Sequence, residues 1–352
     1  RDAQHLLALY AFAVSTEFST QVRAIDQKPI VANGTLVKVA FDLDHWQRIA
    51  AAKYPHGLPT PRSSDPTQWL FSGHPRGSDH PLHVAVARLV GYRWPRQSGS
   101  AFPDCPALGA DGLEPHADAD GIVPLTPLRG ESSATDRLRA LLADAYGAEW
   151  SPARERELLA ATGTKSATLD EWLRDDCFAQ HCTLFHQRPF VWHVWDGRAD
   201  GFHALVNYHQ LAAPNGGGRR TLEALTFTYL GDWIERQRSD EAANVSGAEA
   251  RLTAATQLQA ELQRILAGEP PYDIFVRWKP LAQQPIGWEP DVNDGVRLNI
   301  RPFMTAKPHK ARGKAACILR GTPSGIKWGP KADRGKEPAR AKEDFPWFWS
   351  WD

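Results

Sequence analysis

Apolar positions at helical spacing open the chain. Leu6, Tyr10, Ala13 or Val14, Phe18 and Val22 predict one amphipathic helix over residues 2–24. The run KPIVANGTLVKVAF follows, and Asn33-Gly34 between apolar stretches signals a β-hairpin. Asp42 then stands as an N-cap ahead of a helix through Trp46 and Ile49 to about Lys53. Residues 55–80 are rich in proline and read as loop, and Pro81 and Gly91 bracket the next helix. Pro, Gly, Ser and Asp crowd residues 95–130 without periodicity, the pattern of a linker or long loop. Helices are predicted over 133–146 and 151–162, and Thr168 can cap another that runs to about His186. RPFVWHVWDGRADGFHALVNYH alternates around Phe190, Trp192 and Val194 and turns at Asp196-Gly197, which predicts two short strands. After a flexible break at Asn215-Gly216-Gly217-Gly218 come two long helices. Leu222, Leu225, Tyr229 and Trp233 mark one face of the first, and Ala255, Leu258, Leu262 and Ile265 one face of the second. The break between them, about residues 239–247, is short enough for an antiparallel helical hairpin. From Glu269 onward Pro, Trp and Gly are frequent, and the segment reads as an extended arm.

Composition changes this picture little. The 352 residues are 42% hydrophobic and 23% charged, enough to bury a real core in two or three domains. No apolar run is long enough to span a membrane, so none is expected. Four cysteines make no disulfide framework, and a reducing cytoplasm is the expected compartment. The chain opens at Arg1 on a helical pattern with no signal peptide, which suggests a piece of a larger protein. Fourteen tryptophans leave room for some surface anchors, although packed core is their ordinary place. Charge is more informative. The net balance is zero, yet residues 305–344 hold eleven Lys and Arg against four Asp and Glu. Such a basic arm is either a footprint for a polyanion or a solvated surface segment.

Candidate chemistry is sparse. Glu269-Pro270-Pro271-Tyr272 echoes the Asp/Asn-Pro-Pro-Tyr tetrapeptide that holds a flipped adenine. Its first residue is a methylene too long, and it follows a helix ending at Ala267-Gly268 rather than a strand. It therefore reads as a helix stop. No strand, Gly-x-Gly turn and helix unit for S-adenosylmethionine is present. Arg219-Arg220 at a helix start, just after the glycines, could meet a phosphate, or the stretch is a plain flexible loop. Cys177, His181, Cys182 and His186, with His193 nearby, could form a zinc cluster. They lack the tight paired spacing of such sites and equally suit a half-buried helix face. Asp175-Asp176 reads as a solvated helix face, and no hydrolase or Walker-type motif appears.

Several longer peptides carry more. GTLVKVAFDLDHWQRIAAAKYPHGLP (34–59), DPTQWLFSGHP (65–75), VAVARLVGYRWP (84–95), PFVWHVWDGRADGFHALVNYH (189–209) and TLEALTFTYLGDWIERQ (221–237) come first. GEPPYDIFVRWKPLAQQPIGWEPDVNDGVRLNIRPFM (268–304), IKW (326–328), DRGKEP (333–338) and KEDFPWFW (342–349) follow. In this order they resemble the C-terminal half of large bacterial N6-adenine DNA methyltransferases of phage-defence and restriction-type systems. The DISARM-type adenine methylase is the nearest resemblance. Residues 96–165 and 212–220 match that pattern poorly.

The resemblance implies a target-recognition part whose S-adenosylmethionine fold and Asn-Pro-Pro-Tyr motif lie in a preceding catalytic domain. No catalytic residue carries over, because no position here matches one. This chain alone is expected to bind no cofactor, S-adenosylmethionine serving the intact enzyme. Double-stranded DNA, the missing catalytic domain and other phage-defence proteins are the implied partners. Lys327, Lys331, Arg334 and Lys336 are the expected backbone contacts, with Arg219 and Arg220 next.

The expected architecture is mixed α/β (α+β) and helix-rich, without a complete Rossmann domain. Residues 1–95 form a helical spacer, 96–165 a linker and variable helical insertion, 166–268 a recognition-type region ending in the hairpin, and 269–352 the basic arm. The competing functional readings are an interaction or scaffold module of a defence complex and, through the Cys/His cluster alone, a metal enzyme.

Overall fold

Local caps and a few buried faces decide where the elements begin and end. The computed structural model describes residues 3–28, 30–59, 62–99, 106–185, 189–213 and 215–267. The basic arm and the Glu269-Pro-Pro-Tyr272 stretch lie outside them. The chain divides into two units, residues 1–62 and 63–352.

The first unit is helical: α1 (Ala3–Ala13), α2 (Thr16–Ile25), α3 (Asn33–Leu36) and α4 (Leu43–Lys53). The single helix expected over 2–24 is broken in two. Ser15 leaves the helical conformation, donates to the Phe12 carbonyl at 2.6 Å and caps α2 by accepting from Phe18 N–H at 3.1 Å. Asn33-Gly34 forms no hairpin but starts the short α3, with Ala32 carbonyl accepting from Thr35 N–H at 2.9 Å. Asp42 does cap α4, accepting from His45 N–H at 3.0 Å. Ala8, Phe12, Trp46 and Ala50 form this unit's small core.

The second unit is helix-rich around a three-stranded antiparallel sheet. It contains α5 (Pro81–Leu89), α6 (Pro95–Ser98), β1 (Ile122–Pro124), α7 (Ala134–Tyr146), α8 (Pro152–Ala161), α9 (Leu169–Asp175) and α10 (Cys177–Leu184). Then follow β2 (Val191–Trp195), β3 (His203–Asn207), α11 (Tyr208–Leu211), α12 (Gly217–Glu223), a π-helical segment (Ala224–Tyr229), α13 (Leu230–Ala242) and α14 (Ala248–Ala267). The strand order is β1-β3-β2, with Ile122 opposite Val206 and Trp192 opposite Val206 on the other side.

Successive strand residues point to opposite faces, and both faces are buried. Trp192, Val194, Ala204 and Val206 pack with the helical hairpin. Val123, Val191 and Leu205 pack with α5, α7 and α9. This is why VWHVW is buried at every position instead of every second one. β1 runs through the stretch expected to be loop, and its Ile122 and Val123 are fully buried. The helix expected from Thr168 to His186 is likewise two. Thr168 caps α9 as expected, but Asp176 leaves the helical path and accepts from Ser166 Oγ at 2.8 Å, so α10 starts afresh at Cys177.

The hairpin follows its sequence pattern closely. All eight face residues named for it are buried. The π segment is supported from α14, where Gln259 Nε2 donates to the Thr226 carbonyl at 3.1 Å. No helix among the described residues is long and apolar enough to cross a membrane.

Candidate nucleic-acid interface

Arg219 and Arg220 owe their position to the turn before α12. Asn215 and Gly216 both adopt left-handed backbone, with φ of 56° and 76°. Asn and Gly are the residues that tolerate this conformation best. Gly218 then passes against α11 so closely that a Cβ would sit 2.0 Å from the Leu211 carbonyl oxygen. The flexible break expected here is thus a shaped turn, in which glycine is required at 218 by backbone contact. Gly218→Ala should cost about 1–3 kcal/mol through overpacking, read as a lower urea midpoint. An unchanged midpoint would show that α11 and α12 do not meet at this distance.

The two arginines do different work. Arg219 Nε binds Glu223 at 2.9 Å, and its Nη1 donates to the Leu266 carbonyl at 3.1 Å. It therefore caps the last turn of α14, where carbonyls lack helical partners. Arg220 is exposed and has no hydrogen-bond or ion partner among the described residues. Of the pair, Arg220 is the cation left open to an anion. Lys327, Lys331, Arg334 and Lys336 lie outside the described residues.

The Cys/His group resolves into core packing. Cys177 and Cys182 are buried; burial pushes the Cys182 thiol up to about 12 and the Cys177 thiol higher still. His181 Nε2 accepts from the N–H groups of Phe190 and Val191, both at 3.2 Å, so its lone pair anchors the start of β2. His193 belongs to a different group, with its Nε2 3.0 Å from His203 Nδ1. His186 lies outside the described residues. Among the described residues no three His, Cys, Asp or Glu side chains converge as metal ligands.

Among the described residues tryptophan is also mainly structural. Trp46, Trp94, Trp172, Trp192, Trp195 and Trp233 are buried, whereas Trp69 is 48% exposed.

What the sequence did not reveal is a wall-to-wall polar hub at Gln180. Its Oε1 receives Trp172 Nε1–H at 2.9 Å and its Nε2 donates to the Thr162 carbonyl at 3.2 Å. A third partner is His83, whose Nε2 lies 3.2 Å from the same Oε1. No local pattern marks the hub, because its partners come from α9, the end of α8 and α5. No protein-family model matches the chain, and no curated protein matches it.

Proposed function

We propose that this chain is the DNA-recognition part of a site-specific N6-adenine DNA methyltransferase in anti-phage defence or restriction–modification, acting in the cytoplasm. The observation that carries this reading is the ordered series of peptides from residue 34 to residue 349 that resembles the C-terminal half of those enzymes. Methyl transfer from S-adenosylmethionine falls to a catalytic domain, since this chain holds neither the cofactor turn nor the Asn-Pro-Pro-Tyr motif. The basic arm supplies phosphate contacts through Lys327, Lys331, Arg334 and Lys336. Arg220, open at the start of α12, adds another, and Arg219 holds that helix start in place.

Neutralising phosphates releases counterions, so affinity must fall with salt. Exchanging the four arm residues for Ala should flatten the log–log salt slope by about 3–4, at about 0.9 per phosphate contact. Fluorescence anisotropy on a labelled duplex across a salt series reads this directly. An unchanged affinity and slope would remove the arm from the interface. Tight binding to a defence protein with little salt-dependent DNA affinity would instead favour the scaffold reading.

A further inference from the structure

A second-unit cavity of about 230 Å³ lies between the loop around His74, the short helix α6 and residues 108–114. It falls below the range of about 300–1,000 Å³ usual for drug-sized ligands, so its occupant must be small.

Hydrogen bonding fixes the chemistry of the α6 wall. A backbone N–H only donates. The Gln97 atom that meets Trp94 N–H at 2.9 Å is therefore the oxygen Oε1, and the amide nitrogen takes the other side. Gln97 is only 7% exposed, and Gly73 packs so closely on its amide that a Cβ there would overlap it. Yet Nε2 has no acceptor among the described residues and is not sealed from solvent. The surface that Gln97 retains lines the cavity. A donor on a nearly buried side chain is thus left to whatever enters. Arg93 lines the cavity as well, its Nη2 donating to the Gln97 carbonyl at 3.0 Å. No carboxylate among the described residues pairs with this exposed guanidinium.

The 108–114 wall is acidic but already engaged. Asp111 accepts from Arg88 at 2.7 and 2.8 Å and from Leu113 N–H at 3.1 Å. Glu114 accepts from the N–H groups of Asp111 and Gly112 at 3.1 and 3.0 Å and lies 4.0 Å from Arg88. Arg88 thus serves this wall, and the charge left uncompensated on the α6 side is that of Arg93. One negative charge is favoured there, and the nearby carboxylates oppose a second.

We propose that this cavity binds a short-chain monocarboxylate. Arg93 and Gln97 Nε2 donate to its carboxylate, and Leu108 and Ala110 meet its hydrocarbon tail. Bonds from a guanidinium to a carboxylate are charge-assisted and strong. This site is independent of the DNA-recognition reading.

The test is a calorimetric titration of the full chain at constant ionic strength, in mildly alkaline buffer where phosphate is a dianion. Its probes are butyrate, inorganic phosphate and butylammonium. Butyrate should saturate and bind at least about tenfold more tightly than either control, the worth of one hydrogen bond to a charged group. Gln97→Glu keeps the acceptor for Trp94 N–H but replaces the free donor with an acceptor, and should weaken butyrate by a similar factor. Arg93→Met, a change at an exposed position, should do the same. Arg96→Met removes the same charge outside the cavity and should leave binding unchanged. Butyrate heats that do not saturate, phosphate or butylammonium binding as tightly as butyrate, or Arg93→Met binding butyrate as the parent does would each overturn the proposal. So would an equal loss in Arg96→Met.

Discussion

Asp111→Ala should destabilise the second unit by about 3–5 kcal/mol, the usual cost of stranding a buried charge. Arg88 is the charge in question. Its side chain is 4% exposed, and it grips Asp111 with Nη1 at 2.7 Å and Nη2 at 2.8 Å while donating to the Gly73 carbonyl at 3.0 Å. Glu114, 4.0 Å away, offers only partial compensation. Arg88→Met should cost less, because it removes the buried charge and leaves only a partly exposed carboxylate. The order of the two urea midpoints therefore checks the account, and a cheaper Asp111→Ala would refute it. The pair also sets an acid limit. Hydrogen bonding to Arg88 lowers the Asp111 pKa from 3.8 to about 2. A depressed carboxyl stabilises the fold above its unfolded pKa, and this contribution is lost as pH falls through the folded value. The loss should fall between about pH 4 and pH 2, and solvent screening limits it to on the order of 1 kcal/mol.

Trp172→Ala should be comparably severe, at about 3–5 kcal/mol. The residue is fully buried between α5, α7 and α10, and its ring meets His83 edge-on at 5.3 Å. Its removal leaves a cavity and takes one of the two donors from Gln180 Oε1. Trp172→Phe keeps most of the volume and should cost less than half as much. Equilibrium unfolding of both variants separates packing from the hydrogen bond. A Trp172→Ala cost below about 1 kcal/mol would mean that the ring is not part of the core.

Where a residue's partner lies three or four positions away, the fold was legible in the sequence. Asp42 and Thr168 cap the helices that they precede, and the hairpin's apolar rows face each other as spaced. What depended on distant partners was not legible. Asp176 breaks a helix whose apolar spacing continues through it, because its carboxylate accepts from Ser166, ahead of α9. Ser15 is the exception, a local break hidden by continuing apolar spacing although its partners Phe12 and Phe18 lie only three positions away on either side. β1 is three residues long, and its burial comes from β3, about eighty positions later. The site divides in the same way. Arg219 and Arg220 are adjacent in sequence and equal in charge, yet the end of α14 engages only one of them. The hub at Gln180 draws on His83, Thr162 and Trp172, and no short window of sequence contains all of them.

The π segment sets the phase of everything after it. Leu222 precedes it, Leu225 lies within it, Trp233 and Ile234 follow it, and all four belong to one core. A regular helix advances about 100° per residue, so the wider turn absorbs a rotational surplus that would otherwise carry Trp233 and Ile234 off the shared face. Deleting one residue within 224–229 would give a more regular helix and a worse protein. Every downstream side chain would swing by about 100°, while Gln259 would lose the carbonyl that it now supports. The hairpin should therefore accept sequence drift along its outer surface but resist a change of length at this single turn.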